Sequence, residues 1–569
     1  MQISIPAPGT MKPLENNLFK GLFFCIFTPR FNKKIMTRFT SILLILLALY
    51  LPAKTQSDFD YSIALEEIVL PGLPGLQSYI YAQHESKWLI IGGRKDGLHA
   101  RQPFNAFPQS GNNTMIYVAD IASGELWSSS METLTVSIRE QLQSTNMNFS
   151  QDGDTLYVIG GYAFAASEND HITFPYLTTI TVSSVIEAVI NNEPLTPFVK
   201  QITNDVFAIT GGHLVKMGAY FYLVGGHRFD GRYNPMGNPT YVQSYSNQIR
   251  MFTINNSGNQ LTYGNYSAIT DPVHLRRRDY NLIAQVFPDG TQGYTISSGV
   301  FQLGVDLPFL YPVDIRENSY TPITTFNQYL CNYHAANIGL YDSVSQQMHN
   351  LFFGGMSQYY YQNGTLIQDN LVPFVKTISR LTRYADGSLQ EYQMTEEMPG
   401  FQGSGAEFIV NPDLPLNATG SILLHKCQND TLLLGHIFGG IYSPLLNPFS
   451  SNQTSQTSAD ARIYAVRLIP SSVVGVQKID GTNPYQLNVF PNPSKGDFTL
   501  EVEADASVDV YYYLTNTAGA IIDEGFLNEK NNGKQSKLIR PSISSAQQNL
   551  QVTIVAEDRF FVTKKIVIH

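Results

Sequence analysis

Short apolar runs alternate with polar turns along most of the chain, and the runs come in pairs. SYIYAQ with KWLIIGG, NMNFSQ with TLYVIGG, and YNLIAQVF with GYTISSG are three such pairs, dominated by Val, Ile, Tyr and Phe. Runs rich in β-branched and aromatic residues, separated by turn residues such as Gln151-Asp152-Gly153-Asp154, predict β-hairpins. The second run of a pair ends in two adjacent glycines at 92–93, 160–161, 225–226, 354–355 and 439–440, and a degenerate copy places Ser298 and Gly299 there. Successive second glycines stand 68, 65, 73, 56 and 85 residues apart. After each pair a longer polar stretch leads to two further runs, as in NTMIYVADI with ELWSSS, YLTTITVSSV with LTPFVKQI, NQIRMFTIN with QLTYGNY, and TISRLTRY with LQEYQM.

The pattern therefore predicts four strands per unit, six units and no long helix. A four-stranded sheet cannot bury its faces alone, so neighbours must stack, and a ring of sheets leaves only short edges exposed. The expected fold is all-β: a six-bladed β-propeller over residues 58–470. Its last unit offers ARIYAVRLIP but no outer strand after it, and FDYSIALEEIVLP, far upstream, is expected to fill that place.

A double glycine ending the second strand of each blade, followed by a tyrosine and a tryptophan, resembles the kelch-repeat propellers. The first unit carries the pattern as Gly92-Gly93, Tyr117 and Trp127. Later units lack the tryptophan, since Trp88 and Trp127 are the two in the chain.

Near the start, Met36-Thr37-Arg38 followed by FTSILLILLALYLPA reads as a secretory signal peptide, with cleavage between Ala53 and Ser57. Residues 1–57 are thus expected to be a leader, with translation starting at Met36 or, alternatively, the whole stretch acting as a long leader. The remaining chain would carry 29 basic against 45 acidic residues. That surplus disfavours nucleic acid and anionic membrane as partners, and no later stretch is apolar enough for a stable membrane span. Cys331 and Cys427 could pair or stay reduced; spacing alone does not decide.

After a linker at 471–484, residues 485–569 alternate strand and turn and predict a small β-sandwich. This region resembles the C-terminal sorting domain of the type IX secretion system of Bacteroidota. The resemblance rests on the PNPS segment with its downstream glycine and phenylalanine (Pro491, Asn492, Pro493, Gly496, Phe498), on Gly519 in the L-x-N-x-x-G element, and on the basic terminal strand with Lys564 and Lys565. It implies a route through the periplasm to the outer surface or the medium, with the type IX machinery as a partner.

The stretches after the glycine pairs, at 94–113, 162–176, 227–246, 356–373 and 441–459, should emerge on one face. In repeat proteins such insertions mark the binding side. Their aromatic residues nominate Phe104, Phe107, Tyr162, Phe229, Tyr233, Tyr359 and Tyr360 as contacts for a glycan or a surface protein. A second reading is an enzyme acting on acidic sugars, a mutarotase or lyase, with Arg277, Arg278, His334 and Glu407 in the axial channel. No cofactor or metal site is expected, because the histidines are scattered singly and no catalytic motif of known spacing occurs.

Overall fold

The computed structural model describes residues 59–235, 240–427, 431–471, 476–531, 533–541 and 548–569. The stretch 1–57 expected to be a leader, Met36 included, lies outside them.

Six antiparallel sheets succeed one another along the chain, each built on four strands. Sheet A comprises Ile80–His84, Lys87–Ile91, Met115–Asp120 and Glu125–Ser130. Sheet B follows with Asn148–Asp152, Thr155–Ile159, Tyr176–Thr181 and Val199–Thr203. Sheet C holds His213–Met217, Tyr220–Val224, Gln248–Asn255 and Thr262–Thr270. Sheet D contains Asn281–Val286, Gln292–Ser297, Val313–Arg316 and Ser319–Pro322. Sheet E is formed by Asn337–Asp342, Gln347–Phe353, Thr377–Arg383 and Leu389–Glu397. Sheet F takes Phe401–Val410, Leu432–Ser443 and Ile463–Pro470 from the end of the repeats, and Tyr61–Ile68 from the beginning. That upstream strand pairs antiparallel with Ile463–Pro470 from Tyr61↔Pro470 to Ile68↔Ile463, the place the sequence reserves for it.

Inner strands are buried on both faces because each sheet is covered on both sides. Lys87–Ile91 and Gln347–Phe353, for example, are almost wholly buried. Shared cores join sheet A to B through Ile91, Val158 and Ile180, B to C through Ile159 and Phe252, and C to D through Val224 and Ile296. Sheets D and E meet through Ile283 and Phe352, and F meets A through Phe438 and Ile90. Between E and F, Phe353 stacks on Phe408 with centroids 5.7 Å apart.

The glycine pairs sit where these sheets touch. Every second glycine donates its N–H to a carbonyl at the entry of the next sheet: Gly93 to Ser144, Gly161 to Ile209, Gly226 to Arg277, Gly299 to Asn332 and Gly440 back to Leu76, each ahead of the first strand, and Gly355 to Gln402, the second residue of Phe401–Val410. A side chain is excluded there. At Gly160, with φ +70°, a Cβ would lie 1.7 Å from Ile209 O. The degenerate copy keeps its second glycine and tolerates Ser298 at φ +59°.

Closer to the axis, one residue at the entry of each sheet takes part in a second circuit, five of them ahead of the first strand and Gly405 within it. Asn146 N–H donates to Ser78 O, Gly211 to Asn146, Asp279 to Gly211, His334 to Asp279, Gly405 to His334, and Ser78 to Gly405, at 2.8–3.2 Å. The six bonds return to their starting residue. Together these contacts give an all-β chain of β-propeller-like fold.

Two α-helices, neither of them long, stand between strands among the described residues. Val182–Asn191 follows the third strand of sheet B, where VSSVIEAVI places Val182, Val185, Ile186 and Val189 on one face, and these pack into the A–B core. A shorter helix, Val136–Leu142, precedes sheet B.

Residues 487–568 form two further four-stranded sheets. One orders its strands Leu487–Phe490, Phe498–Glu503, Lys534–Ile539 and Glu529–Asn531; the other orders them Ile521–Phe526, Val510–Asn516, Gln548–Ala556 and Phe560–Ile568. Leu500, Val502, Leu514, Val552, Ile554 and Ile566 share a core between them. The stretch expected to be a linker is partly ordered as strand: Gln477–Ile479 pairs with Leu389–Glu397 at the outer edge of sheet E. Residues 60–569 make one compact unit. Cys331 and Cys427 are free thiols, Cys331 fully buried, and no helix among the described residues is long and apolar enough to cross a membrane.

Candidate functional site

The loops leaving the second strand of each sheet enclose a pocket of about 410 Å³ above the inner circuit of backbone bonds. Ser78, Asn146, Asp279, His334 and Gly405 form its floor. The backbone there is forced into the left-handed region, with φ near +50° at Ser78, Asn146 and Asp279. Asn and Asp tolerate that conformation better than most residues.

Aromatic rings build much of the wall. His99 stacks on Phe107 at 4.9 Å and meets Tyr233 and Phe449 edge-on at 4.6 and 5.5 Å. Phe107 and Phe229 each approach Tyr162 at 5.2 Å. Phe301 and Tyr333 line the pocket as well. The loops are tied to one another rather than only to their own sheets. His171 Nε2 donates to Phe107 O at 2.9 Å, Tyr162 Oη to Gly231 O at 2.8 Å, and Arg232 Nε to Ala106 O at 2.8 Å. Buried Arg94 pairs with Asp96, donates to Asn112 Oδ1 at 2.8 Å and lies 5.4 Å from the Phe107 ring, so it fixes the loop that presents Phe107.

Polar groups reach the pocket at its base. Arg278 pairs with Asp279 and donates from Nε to Tyr245 Oη at 3.1 Å. Burial opposes its charge, but Tyr245 and Asp279 outweigh burial and hold the guanidinium ionised. Gln243 Nε2 donates to His227 Nδ1 at 2.6 Å. Burial depresses the pocket histidines: His227 falls well below its ordinary value, and His99 and His334 are pushed down to about 4.

Below the floor lies a second cavity of about 30 Å³, lined by His213, His334, Glu407, Asn148 and Tyr79 among others. His334 Nε2 is 3.4 Å from Glu407 Oε1, and the His334 ring meets His213 edge-on at 5.2 Å. His213 Nε2 donates to Tyr280 O at 2.8 Å. Burial raises the Glu407 carboxyl to about 8 and lowers His213 to about 3, so near neutrality the group is held uncharged.

Of the nominated aromatic residues, Phe107, Tyr162, Phe229 and Tyr233 line the pocket. Phe104 is 71% exposed, and Tyr360 lies on a hairpin, Tyr359–Gln362 with Thr365–Gln368, away from the lining. Tyr359 is buried at the root of that hairpin against Tyr329, centroids 4.8 Å apart. Among the channel candidates, Arg278, His334 and Glu407 are gathered around the floor, but Arg277 is not. It is fully buried, donating to His274 O, Ser298 O and Tyr311 O at 2.8–2.9 Å, with its guanidinium 4.3 Å and 4.4 Å from the Phe309 and Tyr311 rings. The correction has a simple cause: the bond from Gly226 to Arg277 O belongs to the sheet junction, so its side chain turns into the C–D core while Arg278 faces the axis. His99, Phe301, Tyr333 and Phe449 join the lining without a signal in the sequence, because each stands alone in its loop and nothing about it repeats.

In the C-terminal sheets, Asn492 Nδ2 donates to Lys565 O at 2.8 Å, and Val567 N–H donates back to Asn492 Oδ1 at 3.1 Å. The segment containing Pro491 and Pro493 thus covers the edge of the terminal strand. Phe498 is core, Gly496 and Gly519 lie outside strands in turn or bend positions with φ above zero, and Lys564 and Lys565 are exposed.

Sheets and pocket together define a β-propeller-like all-β protein with one face built from loops. No protein-family model and no curated protein matches the chain. Among solved structures, one described as "Structure of YjhT" is 13% identical, covers 72% of this chain and 100% of its own, and has a TM-score of 0.40. At that score the likeness carries no argument, and the fold rests on the pairing of the strands.

Proposed function

We propose that the chain is an exported, six-bladed kelch-type propeller whose loop-bearing face binds a small glycan, delivered to the cell surface or medium by a type IX sorting domain folded as a sandwich at 485–569. The circuit of inter-sheet bonds supports the blade count, because it visits each of the six sheets once and returns. The doubly bonded Asn492 supports the sorting-domain reading by giving the PNPS segment a reason to accompany the terminal strand.

The observation that carries the binding reading is the pocket itself: about 410 Å³, aromatic walls and a hydrogen-bonding floor. That volume suits one or two sugar units, whose apolar faces stack on rings while their hydroxyls bond below. A flat protein epitope would have no use for such depth. The test is glycan-array screening followed by calorimetry on wild type, Phe107→Ala and Tyr233→Ala. A ligand whose affinity falls tenfold or more in both variants supports the reading; no glycan binding, or binding indifferent to both, overturns it.

The His334–Glu407 pair, in the small cavity below the floor, favours a second reading, an enzyme acting on acidic sugars. A protonated carboxyl beside a neutral imidazole can give and take one proton. Turnover of a uronate or a nonulosonic acid that Glu407→Gln abolishes would establish it.

A further inference from the structure

The domain at 485–569 is wedged against sheets C, D and E. Phe561 packs at 4.8 Å on Tyr311, and Tyr513 and Val555 join the same buried cluster as Ile296 and Val313. His274, fully buried, bonds Tyr311 Oη through Nδ1 at 2.8 Å and Thr563 Oγ1 through Nε2 at 3.0 Å. A Cβ on Gly519 would come within 2.8 Å of Thr270 O, so the contact is close on backbone as well.

The tip of the last hairpin reaches furthest. Glu557 and Asp558, at φ +53° and +56°, lie in the three-residue turn that ends at Arg559. Gln302 Nε2 donates to Asp558 O at 2.7 Å and to Pro308 O at 2.8 Å, closing its own loop onto the hairpin. Asn327 Nδ2 donates to Arg559 O at 3.1 Å, and Arg559 Nη1 donates to Tyr359 Oη at 3.4 Å. Gln302 belongs to the loop that carries Phe301 and Asp306 into the pocket; Tyr359 belongs to the excursion that carries Met356 and Val372 there. One turn of the C-terminal domain therefore holds two of the loops that wall the pocket.

We propose that the C-terminal domain is a lasting brace of the pocket, held by an interface that needs no covalent join, through which residues 558–563 fix the loops 298–312 and 354–376. This stands whether or not the domain also serves export. Its contacts combine a shared buried apolar cluster with several hydrogen bonds, as in a fixed interface rather than a passing one.

The test begins with a protease site inserted after Ser471 in the full chain. After cutting, size-exclusion chromatography under native conditions should return both fragments in one peak; separate peaks overturn the proposal. A second measurement needs no cut. In full-length Arg559→Ala and Gln302→Ala, hydrogen exchange at residues 299–306 and 356–372 should quicken at least tenfold while residues 80–91 in sheet A stay unchanged. Unchanged exchange at the two loops, or a rise in sheet A as well, overturns it.

Discussion

The glycine-pair junctions and the loops that leave them are neighbours in the chain and opposites in construction. At each junction the same bond is made, from a second glycine to a carbonyl at the entry of the next sheet, and that glycine sits in the left-handed region. The loops are held by unlike means: Arg94 anchors one, hairpins stiffen three, and Gln302 ties another to the turn before Phe560–Ile568. Repetition is enforced where backbone meets backbone. Variation is free where side chains do the holding, and the pocket lies on that side.

The largest effect expected is therefore at a junction. Gly160→Ala places a Cβ 1.7 Å from a carbonyl oxygen that cannot move without opening sheets B and C. It should cost about 4 kcal/mol in urea or thermal denaturation. Gly364→Ala, at φ +76° but with nothing within 4 Å, should cost about 1 kcal/mol. Equal costs would erase the distinction between junction and loop.

Adjacent arginines give the next comparison. Arg277→Met strands three buried carbonyls and should cost about 3 kcal/mol. Arg278→Ala, at the pocket floor, should cost less than half of that in denaturation. Reversal of this order would place the structural arginine at the wrong position.

Glu407 offers a pH-dependent version. An unfolded carboxyl loses its proton near 4.5, whereas the buried one keeps it to about 8. Between those values the wild type carries a destabilising cost that grows with pH and levels off above 8. Glu407→Gln removes it, so the variant should match the wild type below pH 4.5 and gain on it steadily as the pH rises toward 8. Denaturation curves across that range check the slope; a difference that stays flat would mean the carboxyl is ionised in the fold.

Sequence showed the repeat because glycine pairs and strand-turn-strand spacing are local features, and it showed the Tyr61–Ile68 strand because the last unit was one strand short. Four pocket aromatics could be picked from their loops for the same reason. Arg277 could not be told from Arg278, since which of two neighbours faces the axis depends on the junction geometry. The circuit through Ser78, Asn146, Gly211, Asp279, His334 and Gly405 has no shared residue type, only a shared place at the entry of each sheet, and composition does not reveal it. Helix Val182–Asn191 was legible in its apolar spacing but hidden by the expectation of strands.

The smallest effect on stability is expected where the largest effect on binding is. Tyr233 lies between His99, Phe229 and Tyr241 on the loop side, part-buried and outside every sheet junction. Truncating it to Ala removes ring contacts whose loss solvent can partly repair, so unfolding should shift by about 1 kcal/mol. The same change takes a stacking face out of the pocket wall. Affinity for a sugar that uses that face should fall tenfold or more, with hydrogen exchange at the glycine pairs unaltered. A large stability loss with unaltered affinity would instead make Tyr233 scaffold, and would move the functional part of the face toward Phe301 and Tyr333.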